Sequence, residues 1–144
     1  IMGYDEHYSG SDDPGSVSSI GFVRDAAENM LTYAPADQIV MGLPFYYRLW
    51  VTNNTGLTSS TIHMDETEEL LGKYGVTTTW LDDVGQSYAE FERDGDFYQM
   101  WIEDPKSLGL KLSVVKDNEL AGAAFWKLGL ENQAAWDVVD EYLK

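Results

Sequence analysis

The feature that most constrains the fold is a set of three short apolar runs that recur along the chain. They occupy residues 1–5, 38–43 and 120–126, and turn-forming or polar residues follow each run. A continuous apolar run of this length is typical of a strand that is covered on both faces, as in a parallel sheet between helices. We therefore predict three buried strands.

Amphipathic helices are predicted after these strands. Residues 18–33 carry apolar side chains at helical spacing, and so do residues 131–143. A third helix is predicted to begin at Asp104-Pro105, because proline is favoured in the first turn. Strands that alternate with helices indicate an α/β fold with a parallel sheet.

The middle of the chain has a different pattern. Gly75 is predicted to end a helix, and Asp94-Gly95 is a strong signal for a two-residue hairpin turn. The predicted elements are a polar loop at residues 51–60, a helix at 65–74, a β-rich segment at 76–81, and hairpin strands at 86–93 and 96–103. We interpret this segment as a small α+β unit.

The chain is accordingly divided into three parts. Residues 1–50 hold two strands and the helix between them, residues 51–101 form the α+β insertion, and residues 102–144 return to helix, strand and helix. Three βα units fit either a small doubly wound sheet or part of a barrel, and a closed eight-stranded barrel needs about 250 residues. Because Ile1 is not a translation start, the 144 residues are expected to begin inside a longer chain.

Charge and composition exclude several classes of function. The 9 Lys and Arg residues against 25 Asp and Glu residues give a formal net charge of -16, which leaves no basic patch for nucleic acid. The absence of cysteine excludes disulfides, thiolate zinc sites and a cysteine nucleophile. No apolar run approaches the roughly 18 residues that a membrane span needs.

Metal and cofactor chemistry is not expected. His7 and His63 are the only histidines, and the adjacent side chains of Asp5-Glu6-His7 point to opposite sides of an extended segment. The chain has no glycine-rich phosphate loop and no nucleophile elbow, so a nucleotide-binding sheet has no supporting motif.

Candidate functional residues lie where the predicted strands end. The carboxyl ends of parallel strands form the sites of barrels and of doubly wound sheets, and here they carry Tyr4-Asp5, residues 44–48 and residues 125–127. An acid, phenols, a guanidinium and an indole suit a neutral ligand rich in hydroxyl groups. Structural roles stay open for the same residues: a loop cap for Asp5, core packing for Tyr4, Tyr46 and Trp126, and a salt bridge for Arg48.

Four motifs follow one another along the chain: Met-Gly-Tyr-Asp at residues 2–5, Gly-Leu-Pro-Phe-Tyr-Tyr-Arg at 42–48, Trp-Ile-Glu-Asp-Pro-Lys-Ser at 101–107, and Ala-Gly-Ala-Ala-Phe-Trp-Lys-Leu-Gly at 121–129. They resemble, in the same order, the M-x-Y-D, G-x-P-x-Y-G-R, Y-D-D-x-x-S and eighth-strand motifs of glycoside hydrolase family 18. The ending Phe-Trp-Lys-Leu-Gly is most similar to the bacterial cell-wall and spore branch. Tyr47 stands where the family has glycine, and we expect it to reshape the cleft near Arg48.

The resemblance implies both a fold and an activity. The fold would be the C-terminal part, strands six to eight, of a TIM (β/α)8 barrel with an inserted α+β subdomain. The activity would be cleavage of β-1,4 bonds next to N-acetylglucosamine in peptidoglycan or chitin, by substrate-assisted hydrolysis with retention. The D-x-x-D-x-D-x-E motif, which carries the general acid Glu, is absent from these 144 residues. We therefore expect this fragment alone to be inactive.

The resemblance also assigns roles to individual residues. Asp5 would hold the acetamido group and offset the developing positive charge, and Tyr4 would orient the acetamido oxygen. Trp126 would form the floor beneath the distorted sugar, and Met2 would shape the pocket. The remaining candidate substrate contacts are Arg48, Tyr46 and Glu103.

The expected partners are a glycan that contains N-acetylglucosamine and either the missing N-terminal half of the barrel or a second copy joined through open strand edges. The expected location is extracellular, in the cell wall or spore of a bacterium. Two other functions stay open. One is a non-catalytic, chitinase-like glycan-binding module, and the other is a partner surface on the α+β unit with Trp80, Tyr88 and Tyr98.

Overall fold

The computed structural model describes residues 1–142. Its helices are α1 (Ile20–Leu31), α2 (Thr67–Tyr74), α3 (Pro105–Asp117) and α4 (Gln133–Tyr142). Its strands are β1 (Val40–Pro44), β2 (Tyr46–Asn53), β3 (Gly56–His63), β4 (Thr79–Leu81), β5 (Gln86–Arg93), β6 (Asp96–Ile102) and β7 (Gly122–Trp126). Short 3-10 helices precede β1 and α2. The predicted last helix extended to Leu143, which lies outside the described residues.

A parallel sheet forms the base of the site. β1 pairs with β7 in parallel, with Pro44 opposite Trp126 at the carboxyl end. On the other side of β1, Met2 forms a parallel bridge to Gly42, and Gly3 N donates to the Gly42 carbonyl at 2.8 Å. The α/β class is thus confirmed. The first predicted strand is reduced to this bridge, and the extended segment ends at Asp5, whose φ is 61°.

The helices cover one face of this sheet. Met41 and Leu43 of β1 are fully buried and pack into a core that α1, α3 and α4 share. Within residues 1–142, the opposite face is open: Met2, Val40 and Trp126 expose 71%, 44% and 54% of their surface. The structure therefore corrects the prediction that these strands are covered on both faces, as far as the described residues go.

The α+β unit is a five-stranded antiparallel sheet in the order β3-β2-β6-β5-β4. The predicted loop at residues 51–60 is wrong, because β2 and β3 form a hairpin there. Thr58, Ser59 and Ser60 belong to the edge strand β3, whose residues are all exposed or partly buried. Polar composition alone does not separate such a strand from a loop.

One face of this five-stranded sheet packs on α2. Tyr47, Leu49 and Met100 belong to a second buried cluster, which leucines and a valine from α2 and the turn after it cover. Three predicted details are confirmed: the Asp94-Gly95 hairpin turn, Gly75 in the left-handed conformation after α2, and Pro105 in the first turn of α3. Among the described residues no helix has both the length and the apolar character to cross a bilayer.

Candidate active site

Neighbouring strands bring the predicted site residues to one edge of the parallel sheet. The ladder between β1 and β7 extends beyond Pro44, because Phe45 N donates to the Trp126 carbonyl at 2.8 Å. Trp126 therefore ends beside the residue that precedes Tyr46. Its side chain is 54% exposed, so it lies outside the core that residues 1–142 form. The peptide bond from Trp126 to Lys127 is cis.

Asp5 is joined directly to Tyr46. The Tyr46 hydroxyl donates to Asp5 Oδ1 at 2.5 Å, and the Tyr4 ring meets the Tyr46 ring edge-on, with 6.4 Å between the ring centroids. Asp5 is exposed, and within residues 1–142 its Oδ2 accepts no hydrogen bond. The site thus contains a carboxylate with one oxygen fixed and the other directed to ligand or solvent.

Burial and the neighbouring Asp5 carboxylate both raise the pKa of Tyr46 well above its ordinary value, burial being the larger cause. Arg48 opposes this shift. Tyr46 therefore remains a protonated hydrogen-bond donor across the physiological pH range, and its bond to Asp5 persists there.

Gly42 allows Tyr4 to lie across β1. A Cβ atom at Gly42 would stand 3.1 Å from the Ile1 carbonyl oxygen and 3.2 Å from Tyr4 Cε1. Met2, the bridge partner of Gly42, is largely exposed at the same edge. Close backbone approach at this glycine therefore sets the position of Tyr4.

Arg48 is held by hydroxyl groups. Its Nε donates to Ser59 Oγ at 2.7 Å and its Nη1 donates to Thr61 Oγ1 at 3.3 Å, both on β3. Its guanidinium also lies 5.8 Å from the centre of the Trp50 ring. Within the described residues Arg48 forms no ion pair, so the salt-bridge interpretation is not supported. The side chain is partly exposed and fixed in direction.

Two expectations are corrected by burial. Glu103, a candidate substrate contact, is 1% exposed, and its carboxylate accepts hydrogen bonds from Lys111, Gln86 and Ser107. It has no exposed oxygen for a sugar. Tyr47, expected to reshape the cleft, is fully buried and donates to Thr67 Oγ1 at 3.1 Å on the α2 side of the sheet.

Burial also raises the pKa of Glu103, while Lys111 and Ser107 act in the opposite direction. Sequence reasoning missed Lys111 as the partner of Glu103. A signal was present, because Lys111 falls on the apolar stripe of α3 at helical spacing from Leu108 and Val115. A lysine in such a stripe needs a buried acid.

Neither histidine contributes to a metal site. His7 Nδ1 lies 2.8 Å from the Ser16 carbonyl, and His63 caps the turn that begins at Met64. Across residues 1–142, no three His, Cys, Asp or Glu side chains are grouped so that they could hold a metal ion.

Comparison with known proteins identifies the family. Residues 1–131 match the sequence model of glycosyl hydrolases family 18, so the chain belongs to that family. Over 139 residues it is 31% identical to the cortical fragment-lytic enzyme of Bacillus subtilis (strain 168), an alignment of 94% of this chain and 32% of that enzyme. The putative sporulation-specific glycosylase YdhD of the same organism is 26% identical over 132 residues, 90% of this chain and 31% of that protein. The chain spans about a third of the length of most curated relatives it matches.

Solved structures support the same fold. The chitinase from Chromobacterium violaceum ATCC 12472 superposes with a TM-score of 0.89 at 27% identity, covering 99% of this chain and 44% of that one. The spore cortex-lytic enzyme SleL of Bacillus megaterium QM B1551 superposes with a TM-score of 0.86 at 27% identity. The superposition covers 99% of this chain and 33% of that one. The fold is therefore that of the chitinase-like barrel domain, of which this chain matches a part.

Proposed function

We propose that the chain forms strands six to eight of a (β/α)8 barrel, with residues 51–101 inserted after the seventh. In this proposal its site belongs to an enzyme that cleaves β-1,4 bonds next to N-acetylglucosamine in peptidoglycan or chitin. The observation that carries the proposal is the placement of Asp5, hydrogen-bonded to Tyr46, and the exposed Trp126 at the carboxyl ends of two parallel segments that flank β1.

The proposed chemistry uses the substrate's own acetamido group. Its carbonyl oxygen attacks the anomeric carbon while a general acid protonates the leaving oxygen, which gives an oxazolinium ion. Water then opens that ion with net retention. Asp5 Oδ2 accepts the acetamido N–H and stabilises the positive charge, while Tyr46 holds Oδ1. A carboxylate already oriented in this way reduces the reorganisation that charge development requires.

Trp126, Met2 and Arg48 supply binding. The exposed indole offers an apolar face for a sugar ring, and Met2 adds apolar surface at the same edge. Arg48 is half-buried with its direction fixed by β3, so it suits a hydrogen bond to a sugar hydroxyl. Tyr4 lies close enough to Tyr46 to orient the acetamido oxygen beside Asp5.

The general acid must come from residues outside these 144, since the D-x-x-D-x-D-x-E motif is not among them. The chain alone is therefore proposed to bind without hydrolysis. A non-catalytic glycan-binding protein is the second candidate, and the exposed Trp126 and Met2 favour it because a binding platform needs no acid.

The names of the relatives support a location and a partner. They include cortical fragment-lytic and sporulation-specific proteins of Bacillus, which favours action at a bacterial spore or cell wall. The open face of the parallel sheet, with Val40 exposed at the amino end of β1, supports packing against the rest of a barrel. Association with a second copy is the alternative occupant of that face.

The test is a calorimetric titration of the chain with tri-N-acetylchitotriose. Trp126→Ala and Asp5→Asn should each weaken binding by about tenfold or more, because each removes a direct contact. Tyr33→Ala is the matched control, since Tyr33 is an 81% exposed aromatic residue beyond α1 and should leave affinity unchanged.

The catalytic part is tested in the longer protein that contains these residues. Asp5→Asn should reduce hydrolysis of chitin or peptidoglycan by orders of magnitude while the melting temperature is retained. Hydrolysis by the 144-residue chain itself would overturn the proposal that the acid lies elsewhere. Equal binding by wild type and Trp126→Ala would remove Trp126 from the site.

A further inference from the structure

A buried chain of hydrogen bonds begins in α3. Lys111 Nζ pairs with Glu103 Oε2, and Gln86 Nε2 donates to the same oxygen at 2.9 Å. Ser16 Oγ then donates to Gln86 Oε1 at 2.5 Å. None of these four side chains exposes more than 5% of its surface. This hydrogen-bond chain therefore runs from α3 through β5 to the loop that precedes α1.

The same hydrogen-bond chain continues to the candidate active site. Ser18 N donates to Ser16 Oγ at 2.9 Å, and Ser18 Oγ donates to the Gly3 carbonyl oxygen at 2.6 Å. Gly3 immediately precedes Tyr4 and Asp5. An uninterrupted set of buried polar contacts thus connects the ion pair in α3 to the backbone that carries both residues.

The Glu103 carboxylate determines the direction of the hydrogen bonds from Gln86 to Ser16. A carboxylate only accepts hydrogen bonds, so Gln86 must turn its amide NH2 group to Glu103 and its oxygen to Ser16. The Ser16 hydroxyl must then donate to Gln86, which leaves its lone pair for the Ser18 N–H. Only one arrangement satisfies all of these groups.

Stability alone does not account for the pair. Well-packed apolar residues in place of a buried ion pair are often as stabilising or more so, whereas a buried pair can specify one geometry. The hydrogen-bond chain ends at residues 2–5, which pack closely against β1. A Cβ at Gly3 would stand 2.8 Å from both the Gly42 carbonyl oxygen and Met41 Sδ. Small displacements of Gly3 therefore move Tyr4 and Asp5.

We propose that Gln86, Glu103 and Lys111 are positioning residues that fix residues 2–5 in the geometry needed for glycan binding. They act through Ser16, Ser18 and the Gly3 carbonyl and do not touch the ligand. The role in glycan binding rests on the proposed function, whereas the control of the segment's position does not.

The experiment measures hydrogen exchange of the chain in the absence of glycan. The double variant Glu103→Leu/Lys111→Met removes the ion pair without leaving an unpaired charge. The amides of Gly3 and Gly42, which bond across the bridge to β1, should exchange about tenfold faster relative to the Leu112 amide of α3, as expected for one weakened hydrogen bond. A purely structural role would accelerate all three amides alike.

Gln86→Leu interrupts the hydrogen-bond chain at its middle and keeps Lys111 beside Glu103. It therefore provides a second measurement if the double variant does not fold. It should raise the same exchange ratio. Ser87→Ala is the matched control. It removes a 2.8 Å hydrogen bond from the Ser87 hydroxyl to Asp104, which also joins β5 to the start of α3 but lies outside the hydrogen-bond chain. An unchanged ratio in the variants that fold, or an equal rise in Ser87→Ala, would overturn the proposal.

Binding of tri-N-acetylchitotriose separates the two levels of the inference. The double variant should bind more weakly than wild type, because the apparent affinity falls with the fraction of molecules that hold residues 2–5 in the competent geometry. If wild type does not bind, the proposed function fails while the exchange measurement still decides the positioning role. If wild type and variant bind equally although the ratio rises, the connection to glycan binding is refuted.

Discussion

At the scale of single residues, three tyrosines remain protonated above their ordinary range because of their surroundings. Burial raises the pKa of Tyr47 to about 12, and burial together with Glu90 raises the pKa of Tyr88 to about 12. The pKa of Tyr46 is also raised, and Asp5 adds to the effect of burial there. These shifts keep each hydroxyl a donor, and they make stability depend on alkaline pH.

Tyr47→Phe tests this dependence. In the unfolded state Tyr47 loses its proton near pH 10, whereas in the folded state it holds the proton to about pH 12. The unfolded state therefore binds fewer protons in this window, and the free energy of unfolding falls as pH rises through it. The variant should lose up to about 2 kcal/mol less than wild type over that range.

The measurement is urea unfolding at neutral pH and at steps up to about pH 12. At neutral pH Tyr47→Phe should cost about 1 kcal/mol, the value of its bond to Thr67. Tyr33→Phe, at an exposed position, should follow the wild-type pH curve. A parallel decline in Tyr47→Phe and wild type would show that burial of Tyr47 does not control the alkaline response.

The sequence predicted residues at strand ends better than residues in the interior. The sequence predicts that Asp5, Tyr4 and Trp126 lie at one edge of the sheet because the ends of parallel strands converge, a rule that needs only strand positions. The structure places them at that edge, and their roles stay predictions. Glu103 was misassigned because its place in a motif does not reveal burial. Its role depends on Lys111, eight residues further along α3, and on Gln86 in another strand.

At the scale of elements, strong local signals were predictive and weak ones were not. Asp94-Gly95 requires a positive φ at both residues, and the structure has 54° and 88° there. The hairpin of β2 and β3 was missed because Asn53-Asn54-Thr55-Gly56 and the Thr- and Ser-rich β3 lack an apolar alternation. β2 also pairs with β6, a contact that is distant in sequence and that the local pattern does not encode.

The close approach at β1 gives an element-scale prediction. Gly42→Ala places a methyl group 3.1 Å from the Ile1 carbonyl oxygen and 3.2 Å from Tyr4 Cε1. The bridge to the first segment must shift, so we expect a loss of about 1–3 kcal/mol in stability and weaker binding of tri-N-acetylchitotriose. Chemical denaturation and calorimetry measure the two effects.

Gly72→Ala is the matched control for Gly42→Ala. Nothing lies within 4 Å of a Cβ at Gly72, which is inside α2. Alanine is favoured over glycine in a helix, so this variant should gain roughly 0.5–1 kcal/mol and bind glycan as wild type does. Equal affinities for wild type and Gly42→Ala would mean that the position of Tyr4 does not matter for the ligand.

At the scale of the whole molecule, two properties oppose each other. The formal net charge of -16 repels a second copy. The open face of the parallel sheet, with Val40 exposed on it, favours burial of apolar surface against another chain. Which one dominates depends on screening, because salt weakens the repulsion and leaves apolar contact intact.

We therefore predict that the isolated chain associates through this face as salt increases. The Debye length falls from about 10 Å at 0.1 M to about 3 Å at 1 M salt, so repulsion between copies is largely removed over this range. Sedimentation velocity should show a larger weight-average mass at high salt. Val40→Lys places a charge on this face, at the start of β1, and should abolish the increase. Thr32→Lys, at an exposed position after α1, makes the same charge change elsewhere and should not. A monomer at both salt concentrations would mean that this face gains too little from self-contact, which leaves the rest of a barrel as its proposed occupant.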